Sequence, residues 1–95
     1  MDFVYLIRPA REGFKTEPTA EEMDLMGKHF AYLKQALDRG QLVLAGPCVD
    51  RSLGIAVFRA DDRAAAEKFM NEDPAIKSGV MKAELKEFRA ALLGK

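Results

Sequence analysis

Gln41-Leu42-Val43-Leu44-Ala45 and Gly54-Ile55-Ala56-Val57-Phe58-Arg59 predict two strands that follow each other directly in the chain. Gly46-Pro47 is expected to end the first of them, and the polar stretch from Cys48 to Leu53 is expected to form the turn between the two. A segment with helical spacing flanks this pair on each side, and a further strand lies beyond each helix. The predicted order is therefore β-α-β-β-α-β.

The outer strands differ from each other in pattern. Residues 3–7 are β-branched, aromatic or leucine, and Pro9 closes the run. Residues 80–88 alternate, with Lys82, Glu84 and Lys86 on one face and Met81, Ala83 and Leu85 on the other. The first strand is thus expected to be buried on both faces, and the last to lie at an edge.

The first helix is predicted over residues 20–39. Thr19 and Glu22 have the spacing of a capping box, in which each side chain accepts a hydrogen bond from the other's backbone N–H. Gly40 follows as the helix-ending residue. An apolar stripe, expected to face the core with its methionines as filler, consists of Met23, Met26, Phe30, Leu33 and Leu37.

The second helix is predicted to begin at Asp61 or Asp62, either of which can cap it. Its apolar face is narrower and consists of Ala65, Ala66, Phe69 and Met70. Asp73-Pro74 stops this helix and begins a further short helical turn, which Gly79 ends.

This order predicts an α+β fold of the ferredoxin-like type, with a four-stranded antiparallel sheet and both helices on one face. A chain of 95 residues corresponds to one domain, so residues 1–95 are taken as a single unit. The first and third strands are expected in the centre of the sheet.

The central strands are apolar on both faces, yet two helices can cover only one. An exposed apolar face is an interaction site, and a second copy of the same face is its simplest cover. We therefore expect a homodimer packed through the helix-free sheet face, burying Val or Phe side chains of the first and third strands. The alternative cover is the loop 8–18 together with the tail 89–95. Sedimentation as a monomer at micromolar concentration would contradict the dimer.

Composition limits the classes of function. Fifteen basic and fifteen acidic residues give zero formal net charge, which lacks the electrostatic footprint of a nucleic-acid or membrane-binding protein. No signal peptide and no apolar run of about 20 residues is evident, so a cytoplasmic protein is expected. The single cysteine, Cys48, cannot form an intrachain disulfide, and no cofactor motif or metal-ligand cluster is present.

Four residues are candidates for chemistry. His29 shares a seam of the first helix with Tyr32, where a titratable imidazole can transfer protons in a partly buried pocket. Arg8, directly after the first strand, can meet an anion. Asp73, before Pro74, is the fourth candidate. Three of the four have a structural alternative: an inert boundary residue for His29, a surface ion pair for Arg8, and a helix cap for Asp73. Cys48 lies in a turn without a neighbouring base.

Four segments together resemble the YCII-related (YciI-like) domain. They are His29-Phe30-x-Tyr32-Leu33, Gly40-x-Leu42-x-Leu44-Ala45-Gly46-Pro47, Gly54-Ile55-x-Val57 and Asp73-Pro74-Ala75-x-x-x-Gly79. The resemblance implies a dimeric ferredoxin-like α+β barrel, similar in architecture to muconolactone isomerases. It also implies a His and an Asp in an active site, at His29 and Asp73. One departure is Glu87, where relatives often have a proline before the last-strand Phe.

Two classes of function remain open at the level of sequence, so the sequence does not establish an enzyme. The first is a cofactor-free lyase or isomerase, in which His29 moves a proton on a small aromatic or lactone-like substrate and Asp73 orients the imidazole. Arg8 and Tyr32 would bind the substrate's oxyanion. A few members of the family that this sequence resembles are dehydrochlorinases of chlorinated hydroxyquinones. The second class is non-catalytic. It comprises a module that binds a small ligand or a partner, and a dimeric interaction domain with no ligand.

Overall fold

The computed structural model describes residues 1–94, in which four strands and three α-helices follow the predicted order. The elements are β1 Asp2–Pro9, α1 Ala20–Asp38, β2 Leu42–Pro47, β3 Gly54–Arg59, α2 Arg63–Glu72, α3 Pro74–Lys77 and β4 Met81–Phe88. A short 3-10 turn, Glu12–Phe14, lies in the loop between β1 and α1. No helix within residues 1–94 is long and apolar enough to cross a membrane.

The sheet is antiparallel throughout, with the order β2-β3-β1-β4. The prediction that the first and third strands are central is confirmed. β2 continues through Gly46 and Pro47, where the sequence predicted its end, and Pro47 pairs with Gly54. A proline is tolerated there because β2 is an edge strand, whose outward N–H groups need no partner.

Helix boundaries follow local side-chain chemistry. Both halves of the capping box are formed at the start of α1, and Asp62 rather than Asp61 caps α2. Gly40 and Gly79 have φ of 82° and 84°, a left-handed conformation in which a side chain would be strained. These expectations are confirmed.

The core lies between the sheet and the helices. On the helix side of the two central strands, Phe3, Tyr5 and Phe58 are fully buried, and Phe69 of α2 packs on them. The dimer was expected to bury Val or Phe side chains. The phenylalanine part of that expectation is wrong, because Phe3 and Phe58 point into this core.

The prediction that the apolar stripe of α1 faces the core holds for Leu33 and for the partly buried Met26, and it is wrong for the other members. Leu33 is buried, but Met23, Phe30 and Leu37 are 54%, 69% and 50% exposed. The side of α1 that is buried most completely is shifted round the helix to Ala36. The reason is tertiary, because the exposed part of the stripe faces an open cavity between α1 and the sheet.

The helix-free face carries Val4, Leu6, Ile55 and Val57, as the alternation in β1 and β3 predicted. Val4 and Val57 are buried even in the single chain, whereas Leu6 and Ile55 are partly buried. Phe14, in loop 8–18, packs against the main core and therefore does not cover this face. Leu92 and Leu93 of the tail are exposed, and Lys95 lies outside the described residues. The homodimer stays a prediction.

Candidate active site

Asp73 occupies the junction between α2 and α3 and is the one buried charged residue within residues 1–94. Its Oδ1 accepts a hydrogen bond of 3.0 Å from the backbone N–H of Ala75, which makes it the N-cap of α3, as the Asp-Pro pair predicts. A cap normally lies at the surface in contact with water. Here the carboxylate is 0% exposed, so protein groups must satisfy its remaining acceptor capacity.

Tyr5 supplies one of those groups from the opposite side of the core. Its hydroxyl donates to Asp73 Oδ2 over 2.7 Å, joining β1 to the α2–α3 junction. Burial, followed by the proximity of Asp73, raises the pKa of the Tyr5 hydroxyl far above its usual range. Tyr5 therefore remains protonated and acts as a hydrogen-bond donor to the carboxylate.

His29 supplies the third group. It lies in the middle of α1, and its Nδ1 is 2.8 Å from Oδ1 and 2.7 Å from Oδ2 of Asp73. An ionised carboxylate can only accept hydrogen bonds, so Nδ1 carries the proton in neutral histidine and Nε2 is the unprotonated nitrogen. The predicted contact between the two residues is formed, across 44 positions of sequence.

Nε2 of His29 has no hydrogen-bond partner within residues 1–94. In the same part of the chain, no fully buried side-chain nitrogen or oxygen lacks a partner. Nε2 must therefore reach accessible surface, in keeping with a His29 side chain that is 14% exposed. A buried carboxylate thus orients the ring through Nδ1, and Nε2 is accessible.

His29 also lines a cavity of about 640 Å³. The apolar stripe of α1 forms one wall, and residues 44–47 of β2 and parts of the loops before α1 and after β2 form the others. Most of the lining is aliphatic or aromatic, as in small-molecule binding sites. The stripe therefore forms a wall of this cavity, and its buried member Leu33 also belongs to the core.

Two predicted substrate-binding residues lie elsewhere. The Tyr32 hydroxyl donates to the backbone carbonyl of Phe69 over 2.7 Å, and burial raises its pKa to about 12. Arg8 pairs with Lys82 across β1 and β4 on the helix-free side of the sheet. Neither residue lines the cavity beside His29. Cys48 is free and exposed.

The contribution of Tyr5 was missed at the level of sequence. The available signal was its position on the helix-facing side of β1, between Phe3 and Ile7. A tyrosine hydroxyl buried there needs a hydrogen-bond partner, and polar side chains able to reach the core are few. The sequence did not indicate that Asp73 would be that partner.

Comparisons with known proteins agree with this fold. The family model described as "YCII-related domain" matches residues 1–89. The structure is similar to 5-chloro-2-hydroxyhydroquinone dehydrochlorinase from Burkholderia phenoliruptrix, solved in complex with 2,5-dihydroxybenzoquinone. The TM-score is 0.71 at 19% sequence identity, over 94% of each chain. No curated protein matches the sequence.

Proposed function

This chain belongs to the YCII-related domain family, and we propose that it is a lyase or isomerase in which His29 and Asp73 transfer a proton on a small substrate. One observation carries the proposal: a buried carboxylate holds Nδ1 of His29 at 2.7–2.8 Å, while the ring lines an apolar cavity. A histidine that served only as a boundary residue would need neither the buried partner nor the cavity.

The chemistry begins with Nε2 of His29 as a general base. It accepts a proton from a C–H or O–H bond of the substrate, and the bonding electron pair stays on the substrate. The imidazolium that forms is stabilised by Asp73, which accepts a hydrogen bond from Nδ1. In an isomerase the proton returns to another substrate atom. In a lyase the electron pair expels a leaving group.

The solved structural neighbour is named a dehydrochlorinase. Removal of hydrogen chloride includes the loss of one proton from the substrate, the step assigned here to His29. The similarity in fold supports an elimination as one member of the proposed class. The substrate and the leaving group of this chain are not specified by it.

The second candidate is a module that binds a small ligand without chemistry. The apolar lining favours it, because burial of a ligand against such walls stabilises a complex without any proton transfer. A change to the His29–Asp73 contact distinguishes the two candidates, because it lowers a reaction rate only if the protein is an enzyme.

Asp73→Asn is the most informative change for this proposal. The carboxylate accepts from Ala75 N–H through Oδ1 and from the Tyr5 hydroxyl through Oδ2, but an amide has only one oxygen. If that oxygen stays on Ala75, the NH₂ group faces His29 and donates to Nδ1. We expect the histidine to change tautomer, so that Nε2 carries the proton and no longer serves as a base.

Two measurements test this expectation. Nitrogen-15 NMR of the single histidine reports the tautomer without ambiguity of assignment. Ring opening of nitrobenzisoxazole, in which a base removes the carbon-bound proton and the N–O bond breaks, reports general-base strength in the cavity. We expect the rate to fall about a hundredfold. Glu22→Gln, a carboxylate-to-amide change at the start of α1, is the matched control. An unchanged tautomer and rate in folded Asp73→Asn would refute the proposal.

A further inference from the structure

The polar side chains that line the cavity all have the same kind of charge. Among the described residues, the lining contains Lys15, Lys34 and Arg51 besides His29, and it contains no Asp or Glu. The whole chain has equal numbers of acidic and basic residues, so this imbalance is local. The potential at the part of the cavity lined by these three basic residues, away from the Asp73 carboxylate that His29 contacts, is therefore expected to be positive, although the protein is neutral.

The three basic residues come from separate elements. Lys15 lies in the loop between β1 and α1, Lys34 in α1, and Arg51 in the turn between β2 and β3. All three are exposed residues, so their charged groups belong to the rim and the apolar side chains form the interior. Convergence of three elements on one opening is a property of the tertiary structure.

Neighbouring acids neutralise this rim only in part. Lys34 is 3.5 Å from Asp38, and both are well exposed, so water weakens that ion pair. Lys15 lies close enough to Asp50 to help lower its pKa, after the hydrogen bonds from Ser52. Arg51 takes part in no ion pair within residues 1–94. The rim therefore keeps positive charge that a ligand can meet.

We propose that the cavity selects small apolar anions, such as aromatic carboxylates or phenolates, with the anionic group at Lys15 and Arg51 and the apolar body against α1. A volume of about 640 Å³ lies within the range of small-molecule sites, about 300–1,000 Å³. This inference deepens the proposed function and rests on it for the reaction, but selection of anions can be measured without any turnover.

A matched pair of fluorescent probes tests the selectivity. Anilinonaphthalenesulfonate and N-phenylnaphthylamine share the same ring skeleton, and only the first carries a negative charge. We expect the anion to bind at least fivefold more tightly and to lose that advantage as salt screens the rim. Changes in the His29 NMR signals, measured in the same titrations, locate the probe in the cavity.

The variants are Lys15→Gln, Arg51→Gln and the two combined, with Lys68→Gln on the exposed surface of α2 as the control. Arg51 has φ of 65°, and glutamine keeps the same backbone strain, so a loss of affinity there reports charge. Each single change should weaken the anionic probe roughly two- to fivefold, the size of an exposed ion pair, and the double change roughly tenfold. The neutral probe and Lys68→Gln should show no change.

The outcomes separate this inference from the proposed function. Equal binding of both probes, or equal affinity in Lys15→Gln/Arg51→Gln and the unchanged protein, overturns the selection of anions and leaves the His29–Asp73 proposal standing. Binding that does not alter the His29 signals overturns the cavity as the site. An unaltered tautomer and rate in folded Asp73→Asn refute the proton-transfer function, while anion selectivity in the probe titrations stands independently.

Discussion

Asp73 and Glu22 are two carboxylates in the same local setting. Each lies at the start of a helix and accepts a hydrogen bond from a nearby backbone N–H, Asp73 from Ala75 and Glu22 from Thr19. Each also meets a nitrogen from a distant segment, His29 in one case and Arg11 in the other. They differ in burial, since the Asp73 side chain is 0% exposed and the Glu22 side chain 13%.

That difference changes what the same arrangement does. Glu22 pairs with Arg11, which is always charged and whose side chain is 47% exposed to water, so the pair ties the loop before α1 to the helix. Asp73 pairs with a histidine, a residue type that can serve as an acid or a base, and the pair lies beside a cavity. A helix-capping carboxylate becomes a candidate catalytic group when burial removes water and its partner is a histidine.

Removing each carboxylate gives the largest expected contrast. Asp73→Ala leaves the Tyr5 hydroxyl, the Ala75 N–H and His29 Nδ1 without their acceptor inside the protein. We expect a loss of about 3 kcal/mol or more in the free energy of unfolding. Glu22→Ala should cost distinctly less, because water replaces the lost bonds. Chemical denaturation measures both, and equal losses would show that burial does not distinguish the two sites.

Tyrosine-to-phenylalanine changes sharpen the contrast within the core. Tyr5→Phe removes a donor to Asp73, and Tyr32→Phe removes a donor to the carbonyl of Phe69. Each should lower the free energy of unfolding by about 1–2 kcal/mol. Only Tyr5→Phe should clearly alter the His29 imidazole signals, because only Tyr5 bonds to its partner carboxylate. Identical effects on His29 would mean that Tyr5 is structural alone.

Acidification is expected to have the smallest effect on stability, and it tests only the ion pair between Glu22 and Arg11. The hydrogen bond from Arg11, then that from Thr19, lowers the pKa of Glu22 to about 2. The folded pKa lies below the unfolded value of about 4.3, so the stabilisation is complete above the unfolded value and lost as the pH falls towards 2. The stability difference between the protein and Arg11→Met should disappear over that interval. A difference independent of pH would rule out the ion pair as its cause.

Local features of this protein were predictable from its sequence. Runs of β-branched and aromatic residues that are apolar on both faces identified the central strands, and the capping groups of Thr19, Glu22 and Asp73 marked helix starts. Gly40 and Gly79 marked helix ends, because glycine adopts without strain the positive φ that these positions have. These features follow from interactions within a few residues, so no knowledge of the remaining chain was needed. The motifs shared with the YCII-related domain family added His29 and Asp73 as candidates.

The position of each feature relative to the others was decided by tertiary packing alone. Tyr5 and Asp73 are 68 positions apart, and only the docking of α2 and α3 on the sheet makes their contact. The apolar stripe of α1 was expected in the core, but its spacing is the same for a core face and a cavity wall. The basic rim assembles from three segments of a chain with no net charge. Periodicity shows which side chains share a face, whereas what lies opposite that face depends on the packing of the whole chain.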